Sequence, residues 1–171
     1  MSAGPKLRAV FDEQLTFHVV LVEPEIPPNT GATARTCVAA NAHLHLIEPL
    51  GFRTDSQAVR RAGLDYWPHL HMQRHRNFDT FREANPDLRL HMFSARASAS
   101  YLEADFRAGD ALVFGKESQG LDAELIDRHA QFLWAIPTLG PVRSLNLSNA
   151  AAIVVYEGLR QIGALQQTHM G

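Results

Sequence analysis

FHVVLVEPEIPPNTGATARTCVAANAHLHLI, residues 17–47, decides the fold class. Its first six residues, FHVVLV, are almost continuously apolar, as a parallel strand covered on both faces requires. A proline-bearing loop, EPEIPPNTGATAR at 23–35, leads into the helix-like TGATARTCVAANA. HLHLI at 43–47 then returns as a second strand. Strand, helix and strand in one stretch make the βαβ unit, the elementary piece of a parallel sheet.

The alternation continues outward from this unit. LRLHMF (88–93), ALVFG (111–115) and QFLWAI (131–136) have the length and residue types of further strands. SQAVRRAG, FDTFREAN and LDAELIDRHA read as helices between them, with Asn77 suited to cap the second and Gly120 to make the turn before the third. A last helix over roughly 146–162 places Ala152, Val155, Leu159 and Ile162 on one face, with Gly163 as its stop. The expected fold is α/β, a single domain over 16–163 with a mainly parallel sheet and helices on both faces. Residues 1–15 are expected as a partly disordered extension and 164–171 as a tail.

Composition agrees with one globular domain. The chain has 171 residues, 46% of them hydrophobic and 20% charged, enough to bury a sizeable core without staples. The single cysteine, Cys37, excludes an intramolecular disulfide framework, and it lies in an apolar helical pattern that suits packing better than nucleophilic catalysis. No apolar run approaches the ~20 residues of a membrane span, and MSAGPKLRAVFDEQLT lacks the apolar segment of a secretory signal. A cytoplasmic protein without membrane contact is expected. Sixteen basic against eighteen acidic residues give a net charge of −2, which excludes nucleic-acid binding by bulk charge. The basic residues are nevertheless mostly Arg, and residues 53–96 concentrate them as a candidate local surface.

Ligands of parallel sheets sit beyond the carboxyl ends of the strands, so the loops there are the ones that can carry chemistry. The loop at 23–35 lets Asn29-Thr30-Gly31 open a helix toward an anion, with Arg35 a turn and a half later; a rigid turn with an Asn cap fits the same residues. FGKESQGL at 114–121 brackets Lys116, Glu117 and Ser118 between glycines. In IPTLGPVRSLNLSNAAAIVVYEG at 136–158, Ser144, Asn146, Ser148 and Asn149 exceed what one helix cap needs. Dinucleotide, phosphate-loop, GxSxG and HExxH motifs are absent, which disfavours dehydrogenases, NTPases and common hydrolases. His-x-His occurs at 43/45 and 69/71 with His75 nearby, but no ordered Cys, Asp or Glu completes a set, so no metal is expected.

Taken in order and spacing, PEIPPNTGATAR, RRAGLDYW, FGKESQG and PVRSLNLSNAAAIVVYE resemble the SPOUT superfamily of RNA methyltransferases. Within it they are most similar to the TrmL type, the tRNA (cytidine/uridine-34) 2′-O-methyltransferases. The resemblance covers roughly residues 17–163. It implies a C-terminal deep trefoil knot, a homodimer, and S-adenosyl-L-methionine as methyl donor with S-adenosyl-L-homocysteine as product. It assigns Phe93, Gly115, Ile136 and Ser144 to the cofactor. Asn29, Arg35, Glu117, Ser144 and Asn146 match the family's active-site set, with Arg35 as its presumed catalytic residue. Arg60, Arg61, Tyr66 and Tyr156 become candidates for gripping a tRNA anticodon stem-loop, Trp67 beside them. Lys116, Ser118 and Gln119 depart from the Pro, Thr and Arg frequent in that family, and Asn41 stands at a position usually given to Gly. The competing readings are another tRNA or rRNA position, a catalytically silent RNA-binding module, and an ordinary nucleotide-binding α/β enzyme.

Overall fold

In chain order the elements are β1 (Leu7–Ala9), β2 (His18–Val22), α1 (Pro27–Ala40), β3 (His43–Ile47), β4 (Met72–His75), α2 (Phe78–Ala84), β5 (Leu90–Phe93), β6 (Ala111–Phe114), α3 (Ala123–Arg128), β7 (Leu133–Trp134), α4 (Leu147–Gln161) and β8 (Thr168–Met170). They come from a computed structural model that describes residues 6–11, 15–53 and 66–171. Six strands form one wholly parallel sheet in the order β4-β3-β2-β6-β5-β7. From β2 the chain proceeds to β3 and β4 on one side, while β6, β5 and β7 lie on the other. The order therefore reverses between β2 and β6, and a crevice borders the point where the loops after these two strands meet.

Both faces of the sheet are covered, as the unbroken apolar strands foretell. Val19, Leu21, Leu44, Leu46, Leu112 and Phe114 meet α1 and α4 on one face. Val20, Val22, Ile47, Met92 and Val113 meet α2 and α3 on the other. The α4 stripe is offset from the one expected: Leu147, Ala151, Val154, Val155, Gly158 and Leu159 are buried, whereas Ala152 is half-buried. Gly158 is required there, because a Cβ would sit 2.7 Å from the Phe17 ring. Cys37 is fully buried, which pushes its thiol pKa upward and removes it from nucleophilic chemistry.

Several boundaries depart from the sequence expectation. α1 starts at Pro27 rather than Thr30, because the two prolines occupy the first turn, where no N–H partner is needed. Within QFLWAI only Leu133–Trp134 is strand; residues 130–132 form a 3-10 turn. MQRH at β4 has no apolar alternation and was not foreseen as a strand; among the described residues it pairs with β3 alone, at the sheet edge, where polar residues are tolerated. β1 and β8 pair antiparallel, so the stretches read as extension and tail meet each other. Asn77 caps α2 in a full capping box, and Gly120 turns with φ of 73°. Asn41 ends α1 in the left-handed conformation with φ of 52°, which explains why this position suits Gly and admits Asn. The helix expected at 56–63 lies outside the described residues.

Candidate active site

The loops after β2 and β6 are zipped together at the crevice. Both oxygens of Glu117 accept backbone N–H groups at the start of α1, from Glu25 at 2.7 Å and Ile26 at 3.0 Å. Pro27 and Pro28 offer no N–H, so these two amides and the positive helix end are what a carboxylate can use. Glu25 answers in the opposite direction, accepting from the Ser118 N–H and hydroxyl at 2.9 Å each. Lys116 pairs with Glu23 at 2.7 Å, and this hydrogen bond raises the lysine's pKa. Gly115 packs against its own loop so closely that a Cβ would lie 2.1 Å from the Gly120 carbonyl carbon.

Asn29 and Asn146 extend this seam to α4. Asn29 does not cap α1; the N-cap is Ile26, without a side-chain bond. Its amide instead donates to Glu117 Oε1 at 3.1 Å and accepts from Asn146 Nδ2 at 3.0 Å. Asn146 is the N-cap of α4, its Oδ1 accepting from the Ser148 N–H at 2.9 Å and the Ser148 hydroxyl at 2.7 Å. Glu117, Asn29 and Asn146 thus form one relay in which each donor and acceptor has a fixed sense.

This relay borders a cavity of about 860 Å³. Phe93, Gly115, Ile136 and Ser144 all line it, as do Asn29, Glu117 and Asn146. Phe93 and Phe114, both buried, stack with centroids 4.8 Å apart at the cavity's base, and residues 135–138 and 143–147 supply more of its lining. Arg143 also lines it and was not singled out from the sequence; its place beside Ser144 is the signal that was available. Among the described residues the lining contains no histidine.

Arg35 is not on that wall. It is exposed on α1, with its guanidinium carbon 5.8 Å from the Tyr66 ring centroid. The Tyr66 hydroxyl donates to the Gly31 carbonyl at 2.6 Å, so this ring is held against α1. Tyr156 is 47% exposed on α4, near the exposed Ile153. Arg60 and Arg61 lie outside the described residues.

The shape and lining fit S-adenosyl-L-methionine. The volume lies in the range of small-ligand sites, and the lining joins apolar groups to the polar Asn29–Glu117–Asn146 relay. The sequence model of the SpoU rRNA Methylase family matches residues 16–156. A tRNA (cytidine(34)-2′-O)-methyltransferase of Burkholderia cenocepacia is 49% identical over 150 residues, covering 86% of this chain and 96% of the relative. A solved structure concerned with 2-OH methylation of C/U34 on tRNA superposes with a TM-score of 0.83 at 49% identity, over 87% of this chain and 97% of the other. An AdoMet-bound rRNA methyltransferase from Sinorhizobium meliloti gives a TM-score of 0.77 at 27% identity, over 88% of this chain and 58% of its own.

Proposed function

The chain belongs to the SpoU rRNA Methylase family, within the SPOUT methyltransferases, and on that footing we propose how its crevice works. The protein is an S-adenosyl-L-methionine-dependent methyltransferase acting on the ribose 2′-OH of nucleotide 34, C or U, in tRNA. The observation that carries this reading is the convergence of four separate segments on one cavity: Asn29, Phe93, Glu117 and Asn146 lie far apart in sequence.

Phe93, Gly115, Ile136 and Ser144 are the residues that would hold the cofactor, whose sulfonium supplies an electrophilic methyl group. A ribose hydroxyl is a weak nucleophile, so the protein's task is alignment and help with the departing proton. The Glu117–Asn29–Asn146 relay keeps the cavity edge rigid while this occurs. A guanidinium donates hydrogen bonds and accepts none, so Arg35 serves by orienting the 2′-OH and its neighbouring phosphate, and that phosphate is a suitable proton acceptor.

The exposed position of Arg35, off its own cavity wall, supports action within a homodimer in which one chain presents Arg35 to the other's cavity. Exposed Leu139, Val142, Ile153 and Tyr156 offer apolar surface for such pairing. The same reading includes a trefoil crossing of the C-terminal segment and an anticodon stem-loop held by both chains, with Arg60, Arg61, Tyr66 and Tyr156 as contacts. It also places the protein in the cytoplasm; among the described residues no helix is long and apolar enough to cross a membrane.

The test is incubation with methyl-labelled S-adenosyl-L-methionine and total tRNA, followed by mapping of the labelled nucleotide. Label on the ribose of nucleotide 34 supports the proposal, and label elsewhere moves the target. Measurable RNA binding without label makes the protein a silent binding module.

A further inference from the structure

Five histidines share one face of the sheet across β2, β3 and β4. β2 and β3 pair in register with His18 beside His43, and His45 follows two residues along β3 on the same face. His71 precedes the adjoining strand β4 and His75 ends it, with the His71 ring 5.0 Å from that of His43. His18 Nδ1 and His45 Nε2 lie 2.8 Å apart, and His45 Nδ1 and His75 Nε2 2.9 Å. This chain satisfies His18, His45 and His75 as neutral rings. It leaves His43 over, half-buried and without a side-chain hydrogen bond among the described residues.

We propose that His18, His43 and His45 form a binding site for one divalent transition ion of the zinc class. One ring nitrogen of each lies within 4.8 Å of the others. Zinc–imidazole bonds of about 2.0–2.1 Å in a tetrahedral arrangement set ligand nitrogens about 3.3 Å apart. The His18–His45 pair therefore opens by only about half an ångström as the ion replaces the proton between the two nitrogens, which moves to the far nitrogen of His18. His43 swings in from the solvent side as third ligand. His71 or a water molecule takes the fourth position.

The surroundings suit such a site. His45 is anchored through its other nitrogen by His75, and the Phe81 ring packs against both, 5.1 Å and 5.3 Å away by centroid. Partners of this kind fix ring orientation and tautomer around a metal. Three imidazoles with no carboxylate select Zn²⁺, Cu²⁺ or Ni²⁺ over Mg²⁺ or Ca²⁺. The ligands begin β2 and lie along β3, at the amino edge of a sheet whose carboxyl edge carries the cavity. The ion would clip two strands together and take no part in methyl transfer.

The experiment is a calorimetric titration of metal-stripped, tag-free protein with zinc chloride. One saturable ion per chain is expected, with a melting temperature that rises on zinc addition. His43→Gln, at a half-exposed position, should keep the wild-type circular dichroism spectrum and weaken zinc binding at least about tenfold. His69→Gln, exposed and outside the cluster, should bind as wild type. Absence of saturable binding, or unchanged binding in both His43→Gln and His18→Gln, overturns the site. Loss of tRNA methylation on chelation overturns its separation from the catalytic cavity.

Discussion

Asn146 Nδ2 donates to Asn29 Oδ1 at 3.0 Å, joining the N-cap of the last helix to the first turn of the first. Because Asn29 must also donate to Glu117, its amide cannot flip without losing both partners. Asn146→Asp separates the two duties of Asn146. The aspartate keeps the cap, so the melting temperature should stay near wild type. It loses the donor to Asn29, so two acceptors face each other and methyl transfer should fall steeply. Asn146→Ala loses the cap as well, at about 1 kcal/mol. Thermal melts and turnover on tRNA, measured side by side, check both.

Glu117 accepts from two backbone amides and one side-chain amide. Glu117→Gln is nearly isosteric but turns one acceptor into a donor facing a donor. It should destabilise the fold by about 1–3 kcal/mol in denaturant titrations and weaken cofactor binding in the same preparation. Unchanged values for both would remove Glu117 from the crevice's framework.

The parts of this architecture set by local chemistry were legible in the sequence. Apolar runs gave β2, β3, β5 and β6; Asn77 and Gly120 marked a cap and a turn. What could not be read was direction and distance. Asn29 fits a helix cap by spacing, yet the prolines draw the helix start back to Pro27 and release its side chain to the crevice. Arg35 stands six residues from Asn29, and six helical steps turn through about 600°, so the two point to different sides. β4 was missed because it lies at the sheet edge, pairing with β3 alone among the described residues, where nothing apolar is demanded of it. The gathering of Phe93, Gly115, Ile136 and Ser144 followed from family resemblance, since no local pattern links residues so far apart.

Gly115 is where framework and cavity share one atom's worth of space. A Cβ there would be 2.1 Å from the Gly120 carbonyl carbon and 2.2 Å from the Leu121 nitrogen, both backbone. Gly115→Ala must therefore displace the 120–121 turn, with a stability loss of about 1–3 kcal/mol or more. Cofactor affinity should drop even at temperatures where the variant remains folded, as equilibrium dialysis would show.

Glu157 provides a test in acid. It accepts from Arg160 at 2.8 and 2.9 Å and from Gln161 at 2.9 Å, and these bonds, Arg160's first, hold its pKa at about 2. The folded value lies below the ordinary 4.5, so the stabilisation is fully present above pH 4.5 and is lost as pH falls toward 2. Arg160 is 70% exposed, so solvent screening keeps the contribution small. The stability difference between wild type and Glu157→Gln should therefore shrink as pH falls below 4.5. A difference independent of pH would assign the effect to packing.

Arg35 supplies the sharpest test of how the site is completed. Its guanidinium lies on the exposed side of α1 against Tyr66, away from its own chain's cavity. Arg35→Ala should bind the cofactor normally, melt within about 0.5 kcal/mol of wild type as exposed substitutions do, and fail to methylate tRNA. If Arg35 reaches the neighbour's cavity, mixing Arg35→Ala with Asn146→Asp and allowing subunit exchange restores one intact site per mixed pair. Half of randomly exchanged pairs are mixed, so about a quarter of wild-type turnover should return. No recovery, with exchange verified by native mass spectrometry, would place Arg35 in the service of its own chain.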